Sequence, residues 1–425
     1  MRKRGLFLLI MLFVVASLGL EAAPKTKIVV GCFPALDEAY AAVLPEFYKK
    51  YPQIEVEIKA LGFDDHHSQL VTALAAGEGA PDVAAVEIGY VAQFVAEGGL
   101  VDLLKPPFNA GRYRDGVTPY TWAQGMSNDG RLIAMPADIA PGCAFYRRDV
   151  FAAHGINVDD IKTIEDLYEV GKKVSKDLDG DGKNDTWLIS DASSIAWMII
   201  RSAPELYFDE KGNCLVDSER FRLAFEWAKK FQDDGLAGGI AAWTNEWYVA
   251  FQTGTVAYEP SGAWLGGHLK NWMAPDTAGK WGVTEWPALR PGEDRMAGYW
   301  GGTFLAIPEQ SKHKEEAWAF IEFITTNVNA QKTCFEVADC FPAWMAAWED
   351  KLFEEKMDFF AGQQARLLWI DIAKRVPEVI TNRFDSVANS VITSELGAVL
   401  QEGKPVERAL RDAKTQIERR VRRGR

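Results

Sequence analysis

The sequence predicts an α/β protein whose sheets are mainly parallel and flanked by helices. Two observations lead there. From Thr26 to Glu97, strand-like and helix-like patterns alternate three times, and strands that alternate with helices close into a parallel sheet with helices on both faces. The chain also shows no internal repeat and no low-complexity linker over its 425 residues, a length that suits two to three domains. Two intimately joined lobes fit this better than separate beads.

The elements follow in order. Thr26–Phe33 is β-rich and apolar, like a buried strand. Leu36–Tyr48 carries Leu36, Tyr40, Val43 and Phe47 on one helical stripe. Ile54–Leu61 alternates as a strand, and His67–Ala76 returns to helix before Gly77-Glu78-Gly79 breaks it. Asp82–Glu87 is a strand and Gly89–Glu97 a helix stopped by Gly98-Gly99. Arg131–Pro136 and Cys143–Arg147 read as two strands parted by Pro141-Gly142. Thr163 and Asp166 make a capping box for a helix with Leu167, Val170 and Val174 on one face. Ser218–Phe231 is amphipathic, Thr255–Glu259 and Thr303–Ile307 are strands, and Ser311–Thr325 is a periodic helix. Val406–Arg423 is a charged amphipathic helix whose terminal arginines suit a solvated helix end.

Composition narrows the function. At 48% hydrophobic and 25% charged the chain is an ordinary folded protein. A net charge of −13 argues against a nucleic-acid binder. Fifteen Trp, twelve Tyr and twenty-three Phe are a heavy aromatic load, suited to a core and to stacking on flat ligands. Five cysteines are too few for a disulfide scaffold. Cys334 and Cys340 are close enough in sequence for a local disulfide, with buried thiols as the plain alternative.

Residues 1–23 read as a secretory signal. Arg2, Lys3 and Arg4 form the basic region, Leu6 to Leu20 the apolar stretch, and Ala22-Ala23 a small-residue cleavage site. The alternative is a retained membrane anchor, for which the stretch is short. The expectation is an exported protein, periplasmic or extracellular.

Five segments, in order, resemble the extracellular solute-binding proteins of family 1, the sugar-binding proteins of ABC importers. They are Phe47–Pro52 before the strand Ile54–Ile58, Gly77–Val86, Met135–Phe151, Ala250–Trp264 and Trp300–Phe323. Cys32 near the end of the first strand and Tyr258-Glu259-Pro260 depart from the family pattern. The resemblance implies a two-lobed periplasmic-binding-protein fold that closes on a ligand by a hinge. It places residues 24–138 and 301–341 in lobe 1, and residues 139–300 and 342–425 in lobe 2. The chain would cross between lobes near Ala137–Ala140, Met296–Gly301 and Phe341–Trp344. It also implies a carbohydrate ligand, permease subunits as membrane partners, no nucleic acid and a monomer.

Open α/β sheets bind ligands beyond the carboxyl ends of their strands. That rule selects Phe33, Asp37 and Glu38 after the first strand, Asp64, Asp65, His66 and His67 after the second, Glu87 and Tyr90 after the third, and Asp138 at the expected hinge. Carboxylates accept directional hydrogen bonds from sugar hydroxyls, and aromatic faces cover the apolar patches of a sugar ring. Lobe 2 offers Trp243, Asn245, Glu246 and Trp264, with Trp300, Gly301 and Trp344 at the crossings; in the family, a tryptophan at the position of Trp264 commonly stacks on sugar. Core packing is the plain alternative for each tryptophan, and a helix-dipole contact for each loop acid. An anion site would want Arg or Lys in these loops. They hold mostly acids, which favours a neutral polyhydroxyl ligand over the second reading, a glycerol-phosphate ester or polyol.

Asp177, Asp179, Asp181, the Lys183 carbonyl and Asp185 resemble the first nine positions of an EF-hand loop, with Gly182 at the sharp turn. Leu188 stands where the bidentate Glu would be, so the expectation is a structural Ca²⁺ and no required cofactor. The sequence lacks a G-x-S-x-G, an H-E-x-x-H, a P-loop and a dinucleotide fingerprint. Paired acids such as Glu87 and Asp138 suit glycoside hydrolysis too, the remote alternative to a non-enzymatic binding protein.

Overall fold

The computed structural model describes residues 25–379 and 381–423; the secretory signal read over residues 1–23 lies outside them. Three strands, β1 (Thr26–Cys32), β2 (Ile54–Ala60) and β3 (Val83–Glu87), run parallel, with β1 in the middle. The helices α1 (Leu36–Lys50), α2 (Phe63–Ala76) and α3 (Ile88–Glu97) follow them in turn. This is the β-α-β-α-β-α order that the alternating patterns require.

The next strand differs from its expectation. Arg131–Pro136 and Cys143–Arg147 are not two strands: one strand of 13 residues, β4 (Met135–Arg147), runs through. Pro141, which suggested the break, sits at one of its irregularities, between Ile139 and Pro141, and Pro136 borders the other, between Pro136 and Asp138. A proline cannot donate to a ladder, so it is tolerated where the pairing bulges. The first half of β4 pairs antiparallel with β7 (Tyr299–Ala306), which in turn pairs with β3. Its second half pairs antiparallel with β5 (Tyr258–Gly262) and β6 (Trp281–Thr284). The named strands around the second half are therefore antiparallel, not mainly parallel as expected for both lobes. Parallel pairing there is confined to single bridges such as Trp187 with Val256.

Four apolar clusters fill the molecule. Two lie around β1, β3 and β7: one joins Val30, Phe47 and Phe320, the other Leu70, Phe94 and Phe304. The other two lie around the second half of β4, one through Phe221, Phe225 and Ile417, the other through Phe145, Trp281 and Trp369. The segments named as crossings are hydrogen-bonded side by side. Ile139 N donates to Phe341 O at 2.8 Å and Gly142 N to Gly298 O at 2.8 Å.

Thr163 and Asp166 form the reciprocal capping box their spacing predicts, and the helix Ile164–Val174 starts there. The helix Val406–Arg423 is also where its period places it. The helices Ser193–Arg201, Ala365–Arg375 and Asp385–Glu402 were not foreseen. The first has only 9 residues, shorter than the window of roughly 11–18 over which a helical period is read. All five cysteines are free thiols, Cys334 and Cys340 included. No helix among the described residues is long and apolar enough to cross a membrane.

Candidate functional site

A cavity of about 980 Å³ opens between the two groups of strands. Phe33, Phe63, Asp64 and Glu87 line it from the side of β1–β3, and Asp138 and Gly301–Thr303 from β4 and β7. Arg201, Tyr207, Trp243, Trp264, His268, Trp272 and Asp385 face it from the other side. A second concavity of about 930 Å³ holds Arg375, Glu285 and Asp371. There Arg375 Nη2 is already paired with Glu285 at 2.6 Å and Asp371 at 2.9 Å, and its lining holds no aromatic ring, so the first cavity is the better candidate for a ligand.

Its carboxylates are held by backbone. Glu87 is the N-cap of α3 and its Oε2 accepts Gly89 N–H at 2.7 Å. Asp138 Oδ1 accepts Thr303 N–H at 3.2 Å across the β4–β7 pair. Asp385 Oδ2 accepts Asn382 N–H at 2.7 Å. Burial pushes these carboxyls up, Glu87 to about 7, Asp138 to about 6 and Asp385 to about 7. Desolvation disfavours the charged form, and it outweighs the hydrogen bonds that favour it. Near neutrality they are mixtures of acid and anion, able to donate as well as accept.

The opposite wall is aromatic. Trp264 Nε1 donates to Trp300 O at 2.7 Å. Trp243 stacks on Trp264 with ring centroids 5.2 Å apart and planes 19° from parallel. His268 and Trp272 continue the surface, their rings 5.5 Å apart. Small residues make this approach feasible: a Cβ on Gly262 would stand 2.4 Å from Trp300 O and 2.7 Å from Trp264 Nε1. Trp243 itself has φ of 66°, a left-handed conformation that costs a non-glycine residue of order 1 kcal/mol or more. Strain of this kind, on an indole aimed at a cavity, is a mark of a functional position.

Of the residues selected by sequence, Phe33, Asp64, Glu87, Asp138, Trp243, Trp264, Trp300 and Gly301 line the cavity. Asp37, Glu38, Asp65, His66, His67, Tyr90, Asn245, Glu246 and Trp344 lie outside its lining. Asp37 and Glu38 occupy the first turn of α1 and Asp65 the first turn of α2, where acids suit the helix dipole. His66 is buried under β3, its Nε2 2.7 Å from Ala85 O, and burial lowers its pKa. Glu246 is exposed in the first turn of the helix Asn245–Thr253. Trp344 packs on Gly116 and against Tyr113, with its N–H donating to Gln331 at 3.2 Å; this is a core role. Arg201, Phe63, Tyr207, His268, Trp272 and Asp385 were missed. Arg201 and Asp385 sit at the ends of the unforeseen helices, so no strand-end rule could reach them.

In the Asp177–Asp185 loop, one carboxylate oxygen from each of Asp177, Asp179 and Asp185 falls within 4.8 Å of the others. Asp181 is not in that group; its Oδ1 accepts Lys183 N–H at 2.8 Å. Asp177 accepts Gly180 and Gly182 N–H, which folds the turn.

Residues 42–361 match the model of the family described as bacterial extracellular solute-binding protein. The chain belongs to that family. Its members are solute-binding components of transport systems and not enzymes, and this chain is one of them. It is 28% identical over 340 residues to the arabinooligosaccharide-binding protein of Bacillus subtilis (strain 168), covering 78% of this chain and 76% of that protein. It is 24% identical over 290 residues to the lactose-binding protein of Rhizobium radiobacter, 67% of each chain. Among solved structures, the ABC transporter-associated binding protein of B. animalis subsp. lactis Bl-04, in complex with β-1,6-galactobiose, matches with a TM-score of 0.74 and 26% identity, over 92% of this chain and 96% of that one. The maltose-bound MalE3 of T. maritima matches with a TM-score of 0.73 and 21% identity, over 93% and 99%, which shows the shared fold. The α/β periplasmic-binding-protein architecture expected from the sequence is thus present.

Proposed function

We infer that this solute-binding protein is the sugar receptor of an ABC importer and holds a saccharide in the cavity between β1–β3 and the tryptophan wall. One observation carries the assignment to this cavity: hydrogen-bonding carboxyls stand on one side of a space of about 980 Å³, and stacked indoles on the other. Sugars present hydroxyl edges and apolar faces, and few other solutes need both. The volume is in the range of a small-molecule site. Relatives named for arabino-oligosaccharides and lactose support the same ligand class.

The three adjacent crossings support a hinge there, with residues 24–138 and 301–341 closing on residues 139–300 and 342–425. A permease would read the closed form. The basic and apolar pattern of residues 1–23 supports export by a secretory signal. The convergence of Asp177, Asp179 and Asp185 supports a structural Ca²⁺ in that loop.

A thermal-shift screen of residues 24–425 against mono- and oligosaccharides, polyols and glycerol phosphates tests the reading. A ligand that binds the folded state alone raises the melting temperature by mass action. A shift with saccharides is expected; a shift with glycerol phosphates alone would contradict it.

A further inference from the structure

The cavity is not uniform from end to end. Arg201 is the last residue of the helix Ser193–Arg201. Its guanidinium lies over the rings of Trp300 at 4.9 Å, Trp197 at 5.1 Å and Tyr299 at 6.0 Å. Among the described residues it makes no hydrogen bond and no ion pair, in a cavity that also holds Glu87 and Asp385. Beside it Tyr207 is 3% and Asp385 8% exposed. This end is polar, charged and closed.

From there the aromatic wall runs outward. Trp300 is tied to Trp264 by a hydrogen bond, Trp243 stacks on Trp264, and His268 leads to Trp272. Exposure rises along that path: Trp243 is 54% and Trp272 50% exposed, and Phe63 on the facing wall is 42% exposed. Large aromatic rings left open to water at a cavity mouth mark a surface that something covers.

We propose that the site takes a linear oligosaccharide by one end, with its terminal residue at Arg201 and its following residues along Trp264, Trp243 and Trp272 toward solvent. This rests on the saccharide reading above and specifies its ligand. The Arg201 guanidinium is half-buried against three rings and leaves its N–H donors without a protein acceptor among the described residues, so they are free for a ligand. Two vicinal hydroxyls of a terminal sugar would accept its planar pair of N–H donors, and the rings around it hold that plane in place. Glu87 and Asp385 would take the hydroxyl protons on either side. Beyond the terminal residue the wall offers mainly ring faces, which contribute by contact area and discriminate little between sugars. The length of chain bound would then be set by how many rings it can cover.

Titration calorimetry with two series of linear saccharides tests this: α-1,5-linked arabinose and β-1,6-linked galactose, each from monomer to hexamer. The proteins are the intact exported chain and its Arg201→Gln, Arg201→Lys and Trp272→Ala variants, each first checked for a cooperative melt. In the series that binds, wild-type affinity should rise with length and then level off. Arg201→Gln should weaken every length by at least tenfold and keep the ratio of long-chain to monomer affinity. Arg201→Lys, which keeps the charge without the planar fork, should recover part of that loss. Trp272→Ala should lower the ratio at least threefold. Affinity independent of length, an Arg201→Gln loss confined to long chains, or an unchanged ratio in Trp272→Ala would overturn end-on binding while leaving the saccharide reading intact. Binding of neither series, with no thermal shift from any other saccharide, would overturn both.

Discussion

Trp243 lies against Trp264 at 5.2 Å with the two indoles nearly parallel, and it reaches that position from a backbone with φ of 66°. Nothing in the core requires this: Trp243 is half exposed, while its neighbour Trp247 is buried and already anchors the helix Asn245–Thr253. The pair therefore belongs to the cavity, and its energetic contribution should appear in binding.

Trp243→Ala and Trp264→Ala should each weaken saccharide binding at least tenfold, a loss of about 1.4 kcal/mol or more. Trp243→Gly relieves the left-handed strain while removing the ring. Its melting temperature should match or exceed that of the alanine variant, with the same loss of affinity. Calorimetric titration and thermal melts on the same samples check both parts.

Asp138 stands on β4, with Oδ1 accepting Thr303 N–H and its carboxyl in the cavity. Asp138→Ala should weaken binding at least tenfold and leave a cooperative melt. Unchanged affinity in both Asp138→Ala and Trp264→Ala would refute the placement of the site.

Glu259 is buried beneath the wall. Its Oε1 accepts Ser190 Oγ–H at 2.8 Å and Trp247 Nε1–H at 3.2 Å, yet burial still pushes it up to about 7. The folded state therefore keeps a proton that the unfolded state loses at ordinary carboxylate pH. Stability associated with this group is full below about pH 4.5 and is lost as pH rises through about 7. His67 and His268, lowered by burial to about 4, act oppositely, their stability rising with pH from about 4 to 6.5, and His66, also lowered by burial, acts in the same direction as they do. Glu259→Gln removes this group's share, so the stability of wild type relative to the variant should fall as pH rises from about 4.5 through about 7. Across the full range the term for one such group is on the order of 3 kcal/mol. Denaturant melts of wild type and variant at several pH values read it directly; parallel profiles would contradict it.

If the Asp177–Asp185 loop holds Ca²⁺, added Ca²⁺ should raise the melting temperature and a chelator lower it. Asp179→Asn, at an exposed position, should remove the response. A melt indifferent to both additions would count against a metal there.

The sequence carries the first lobe well and the second poorly, for a physical reason. β1, β2, β3 and their helices alternate with clear periods, and Glu87 falls at the end of β3; Asp138 reaches the cavity too, but from inside β4 rather than from the strand end that the sequence suggested. β4 was misread because prolines usually end strands, whereas Pro136 and Pro141 here fit its bulges. The helix Ser193–Arg201 is only 9 residues long, too short for its period to stand out, so the charge it delivers to the cavity stayed hidden. Asp37, Glu38, Asp65 and Glu246 show the limit of the strand-end rule: it finds helix first turns, and acids gather there to meet the dipole whether or not a ligand binds.

The central claim is that a saccharide occupies the cavity between Glu87 and Asp138 on one side and the Trp243–Trp264 pair on the other. Titration calorimetry of residues 24–425 and their Trp264→Ala variant with the saccharide that gives the largest thermal shift tests it most directly. The account predicts one-to-one binding by the wild-type chain and at least a tenfold loss in the variant. Equal affinity in the two proteins would contradict it and move the ligand elsewhere on the molecule.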